Sequence, residues 1–63
     1  MNLNKIQRVQ RALDAIERGT WSEFSISECC DYIGWLARFK KVSENVWKPM
    51  CEQATRILEK GMA

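Results

Sequence analysis

What this 63-residue chain lacks narrows it most. It has no histidine, so the usual neutral-pH general base and the commonest zinc ligand are both missing. Its three glycines and one proline form no phosphate-cradling loop and no nucleophile elbow. Its three cysteines, Cys29, Cys30 and Cys51, are odd in number and lack the paired spacing of a structural zinc site. Cys29 and Cys30 are neighbours, and on a helix they point about 100° apart. The opening "MNLNKIQRVQ" has no apolar signal core, so the thiols are expected reduced, as small hydrophobes in a cytosolic protein. No apolar run nears the roughly 18 residues of a membrane span. Disulfide, metal, cofactor and membrane insertion are therefore not expected. Catalysis is not expected either. The carboxylates are scattered and mostly stand near bases, as Asp14 does four residues before Arg18. Cys29 at a helix start has the position for a lowered pKa, but a cysteine on an apolar stripe is ordinarily packing.

What is present is oily surface. Hydrophobic residues make up 46% of the chain, generous for a single domain over residues 1–63. So short a chain encloses a small core and usually needs a staple. With disulfides and metals set aside, a second subunit is the expected one. The net charge of +2 lies wholly on the first twenty residues, where Lys5, Arg8, Arg11 and Arg18 face only Asp14 and Glu17.

Three helical segments are legible. In the first, Leu3, Ile6, Val9, Leu13 and Ile16 recur at steps of three and four, Asn2 or Asn4 can cap the start, and Gly19 can end it. The second opens with "SISE", a capping box of Ser25 and Glu28, with Phe24 placed to staple onto Cys29. It runs to about Lys40. Ile26, Cys29, Cys30, Ile33, Leu36 and Ala37 fall on one face; Glu28, Asp31, Tyr32, Trp35, Arg38 and Phe39 fall on the other. Gly34, costly in mid-helix, points to a close helix crossing. The third carries Val46, Trp47, Met50, Cys51, Ala54, Ile57 and Leu58 in a stripe ending at Gly61. Pro49 is cheap only in a first turn, so this helix is expected to begin near Lys48 or to kink there. Between the first two segments, "TWSEF" at 20–24 reads either as a loop or as a short strand paired with the same segment of a second copy. The expected fold is mainly α: a small helical homodimer with two to three helices per chain and room for that strand.

Two candidate surfaces follow. Tyr32, Trp35 and Phe39 could contact neighbouring helices, but burying three rings removes about 450–750 Å² from water, on the order of 11–19 kcal/mol gross as an upper bound. Another chain is the natural cover. Trp21, Phe24 and Trp47, at segment edges, are candidates for the same cleft, which is read as a dimer interface or a groove for an amphipathic helix. The alternative is DNA. "LARFKKVSENVWKPM" has the cadence of a helix-turn-helix over residues 33–50, with Lys40, Lys41 and Lys48 nearby and Arg8 and Arg11 adding a patch. Against it stand Lys41 where a turn glycine is common, an apolar register shifted by one, and Pro49 inside the recognition helix. Solvated surface charge is the plainer account of these bases.

The stretch "TWSEFSISECCDYIGWLARFKKVSENVWKPM", with the basic first segment and the length, resembles the small early orphan proteins of lambda-like phages from the region between the exonuclease and excisionase genes. That resemblance implies an intimate homodimer, mainly helical with a short strand. It also implies a regulator acting early in the host cytoplasm to favour lytic development, with no catalytic residue. "SENVWKPM" is also similar to the Ser-x-Val-Trp-Lys ending of the enterobacterial Hha-type nucleoid modulators, which bind a DNA-binding partner; here a full helix follows it.

Overall fold

Three helices account for most of the structure, a computed structural model that describes residues 4–62: α1 (Lys5–Arg18), α2 (Ile26–Arg38) and α3 (Glu44–Met62). The proposed cap Asn2 and stripe residue Leu3 lie outside the described residues. Each of the first two helices starts with a complete capping box. The Asn4 side chain accepts from the Gln7 N–H, and the Gln7 side chain accepts from the Asn4 N–H. Ser25 and Glu28 do the same for α2. Both boxes satisfy N–H groups that a helix start leaves without partners.

The two C-terminal ends share a geometry but not a residue type. After α1, Gly19 sits at φ 78° while the Thr20 N–H reaches Ala15 O at 2.9 Å and the Gly19 N–H reaches Ile16 O. After α2, Lys40 takes φ 50°, the Lys41 N–H reaches Leu36 O at 3.0 Å and the Lys40 N–H reaches Ala37 O. Both are Schellman ends, the second closed by a lysine where glycine is usual. The helix expected to reach Lys40 therefore stops at Arg38.

Of the two readings of residues 20–24 the structure has the loop and not the strand; Thr20 Oγ1 donates to Ala15 O and Ser22 Oγ to Phe24 O, turning the chain locally. One further expectation is corrected. The third helix begins at Glu44 rather than near Lys48 and runs through Pro49. Ser43 O accepts from both the Val46 and Trp47 N–H groups, so the first turn is fixed ahead of the proline. The partner Pro49 leaves unbonded is the carbonyl of Asn45, an exposed residue where water can serve instead. Inward packing of Trp47 and Met50 then carries the helix on.

The core is small and wholly apolar: Val9, Ala12, Leu13 and Ala15 from α1, Cys29, Ile33 and Leu36 from α2, Met50 and Ala54 from α3. Ile6, Ile16, Phe24, Ile26, Cys30, Tyr32, Trp47 and Ile57 pack around it, half-buried. The stripe expected on α3 is narrower than its periodicity implied, since Val46, Cys51 and Leu58 are exposed. The Cα trace measures 32 × 29 × 17 Å. Its thin dimension is about two helices deep, with axes 8–10 Å apart and Cα radii near 2.3 Å, so no helix is surrounded.

Candidate functional site

The spacing of Tyr32, Trp35 and Phe39 puts them on adjacent turns of α2, and the structure stacks them into a ladder. The Tyr32 and Trp35 rings lie 5.8 Å apart at 21°. Trp35 and Phe39 lie 6.2 Å apart at 50°. Tyr32, the inner rung, packs against the core. The outer rungs do not: Trp35 is 44% exposed and Phe39 57%. Of the two fates weighed for these rings, contact with the chain's own helices covers one and leaves two wet.

Cations decorate the ladder. Lys5 Nζ stands 4.9 Å from the Tyr32 centroid and Lys41 Nζ 5.3 Å from that of Trp35. Such contacts are worth about 0.5–1 kcal/mol each where water reaches them. An open groove of about 560 Å³ runs along this face, lined by Lys5, Glu28, Asp31, Tyr32 and Trp35. The charge around the ladder is polarised, with Glu28 and Asp31 at the N-terminal end of α2 and Arg38, Lys40 and Lys41 at the C-terminal end.

Trp21, Phe24 and Trp47 are not among the residues that line this groove. Phe24 packs on the core that includes Cys29, with Lys5 and Arg8 over its ring at 5.8 and 5.5 Å. Trp47 also packs inward. Trp21 is 85% exposed and stands elsewhere, beside α1. Gly34 is likewise not at a crossing within the chain: a Cβ there would meet nothing within 4 Å.

The basic residues of the DNA alternative are dispersed. Arg8 is held by Glu23 through a bidentate ion pair, which raises the guanidinium pKa and lowers that of the carboxyl, in both cases chiefly through the side-chain hydrogen bonds. Lys40 closes α2, Lys41 covers Trp35, and Lys48 is exposed on α3 with Arg11 away on α1. The helix that would enter a groove, α3, carries Lys48, Arg56 and Lys60 against Glu44, Glu52 and Glu59, no net charge at all. Backbone recognition of a duplex needs a cationic surface, so this helix is a poor reader.

Reactive chemistry finds no support in Cys29. The thiol is buried, and its pKa is pushed up, first by that burial and then by Cys30 and Glu28, the reverse of the lowered value a helix start offers. Among the described residues no group of three or more His, Cys, Asp or Glu side chains could hold a metal ion, and no helix is long and apolar enough to cross a membrane.

Sequence reasoning missed a polar clasp between α1 and α3. Gln53 Nε2 donates to Asp14 Oδ1 at 2.8 Å and to Glu17 Oε1 at 3.1 Å, while Gln10 Nε2 donates to Gln53 Oε1 at 2.6 Å. Arg56 closes the row, donating to both Glu17 oxygens at 2.8 and 3.2 Å. Asp14 is thus engaged by Gln10 and Gln53, and not by Arg18 as its spacing implied. These partners lie 36 to 43 residues apart across the seam, where no local pattern announces them.

No protein-family model matches the chain, and comparison with characterised proteins and with solved structures likewise finds no match.

Proposed function

We propose that this chain is a non-enzymatic interaction protein that works as a homodimer, joined through the aromatic ladder of α2, and that presents the apolar cleft so formed to a host or phage protein. The observation that carries this reading is the ladder itself: two large rings on consecutive turns, both exposed, between an acidic and a basic end of the helix. A contiguous apolar patch rimmed by polar residues is the usual mark of an interaction site.

The polarity of α2 selects the pairing. A second copy running antiparallel about a two-fold axis near Trp35 sets the acidic end, Glu28 and Asp31, against the partner copy's basic end, and repeats the same contact on the other side. A parallel pairing would stack like charges. Stacked indoles at the axis supply the anchor, and the charged ends supply register. Taken with the resemblance to early orphan proteins of lambda-like phages, this makes the chain a regulator of infection in the host cytoplasm, favouring lytic development by binding and not by catalysis.

Sedimentation equilibrium tests the assembly. The wild-type chain should be dimeric at micromolar concentration. Trp35→Ala should weaken the dimer by about thirtyfold or more, the size of a central interface anchor, with helicity unchanged. A folded wild-type monomer at those concentrations would sink the proposal.

A further inference from the structure

A second surface, on a different face, has the opposite character. Between α1 and the turn at residues 20–23 lies a groove of about 330 Å³. Its floor is Ala12 and Ala15, its rim is Arg11 and Arg18, and one end is the indole of Trp21. That indole is 85% exposed, the most exposed large hydrophobic side chain described. Arg8 also borders the groove but is already held by Glu23. Arg11 and Arg18 are exposed, and among the described residues the ion pairs are Arg8–Glu23 and Arg56–Glu17. The whole formal charge excess of the chain lies on this first segment.

We infer that this groove docks an acidic amphipathic helix of a partner protein. Spacing argues for a helix. Arg11 and Arg18 are one heptad apart, about 10.5 Å along α1, the distance between acidic side chains seven residues apart on a helix laid alongside. The alanine floor keeps α1 slim between the two arginines, which favours close approach of an apolar side chain. The Trp21 indole offers a large surface with two rotatable bonds to order, a low-entropy anchor. Arginine forks match carboxylates bidentately. Nucleic acid is the weaker fit, because backbone binding needs several phosphate contacts and, with Arg8 held by Glu23, this groove offers two further guanidinium groups, Arg11 and Arg18. The inference is independent of the dimer proposed above: it concerns α1 and Trp21, not α2 and Trp35.

The test uses the full chain labelled with 5-fluorotryptophan, whose three ¹⁹F resonances are assigned by single Trp→Phe changes. The probe is a synthetic helical 18-mer with Glu at every seventh position and Leu beside it. At low salt the peptide should shift the Trp21 resonance and leave those of Trp35 and Trp47 in place. The joint Arg11→Ala, Arg18→Ala change should weaken binding by about twofold to thirtyfold, the worth of two exposed pairs. Arg11→Glu with Arg18→Glu should transfer the preference to a Lys-for-Glu version of the peptide. No Trp21 shift at millimolar peptide, equal binding of both peptides by the wild type, or tighter binding of an 18-mer oligothymidylate would each overturn the inference. Loss of the dimer in Trp35→Ala should leave the Trp21 response intact, so failure of one reading does not imply failure of the other.

Discussion

The α1–α3 seam and the outer face of α2 are built from different materials, and only one of them is finished. Along the seam every polar side chain that approaches the core has a named partner: Gln10, Asp14, Glu17, Gln53 and Arg56 form one row of hydrogen bonds. On the outer face of α2 the large groups are aromatic, only Tyr32 of the three packs onto the core, and water reaches the other two. A chain that can satisfy a clasp across 43 residues is not loosely made. The bare ladder is therefore a feature of one surface, not of poor packing in general. The contrast separates residues that stabilise the monomer from residues available to a partner.

The sharpest way to break the contrast is at its deepest point. Leu13 is fully buried where all three helices meet, so Leu13→Ala should cost about 2–5 kcal/mol. A domain of this size has roughly 3–9 kcal/mol in total, so the variant should lose a large share of its stability, read as a much lower urea midpoint. Trp35→Ala, removing a larger side chain, should leave the dilute chain folded. Equal damage from the two would mean that the ladder belongs to the core after all.

Next in size is the clasp. Gln53→Ala removes the donor and acceptor that join Gln10, Asp14 and Glu17, and should cost about 1–2 kcal/mol in urea denaturation, with an unchanged m-value. Its effect on self-association should be nil once the variant is folded. A shift in the dimer equilibrium would place the second copy on the seam instead of on α2.

How far these features could be read beforehand depended on their range. The Ser25–Glu28 box and the Gly19 stop are local signals, with the residue type and its role within three positions of each other, and both are present. The division of α2 into an inner and an outer face was equally legible, because 3.6-residue periodicity fixes it. Lys40 shows the limit of local rules, since nothing in its type marks a left-handed closure. Pro49 shows a local rule overridden: the cost of a proline in the second turn is offset by the inward packing of Trp47 and Met50, so the helix starts four residues early. Periodicity also cannot say how wide a neighbour is. Cys51 and Leu58 lie on the apolar arc of α3 yet outside its contact. The clasp and the separation of Trp21 from the ladder depend on how the helices dock, and no window along the chain contains that information.

Gly34 sharpens the comparison from the exposed side. It sits about 100° around α2 from Trp35, and a Cβ there meets nothing. Gly34→Ala should therefore stabilise the chain by about 1 kcal/mol through helix propensity alone, read as a higher urea midpoint. Destabilisation accompanied by weaker self-association would show that the partner copy wraps onto this flank too, and that the interface is wider than the ladder.

The smallest effect is the response to acid, which belongs to the ion pairs within the chain. Glu17 has its pKa lowered, first by the hydrogen bond from Arg56, and Glu23 has its lowered, first by the hydrogen bond from Arg8. A carboxylate with a lowered folded pKa contributes stability that is present above its unfolded value and is lost as pH falls through the folded one. With no histidine in the chain, stability should be flat from about pH 5 to 7 and decline only below the ordinary glutamate value of 4.5. Both pairs are water-exposed, so the decline should be shallow and should shrink further in high salt. Because these pairs lie within one chain, that decline should not depend on protein concentration. Glu17→Gln should remove part of this decline and leave the part that Glu23 contributes. An equally deep decline in that variant would leave the Arg56 pair without a role in acid stability, and a decline that deepens on dilution would tie it to self-association instead of to the seam.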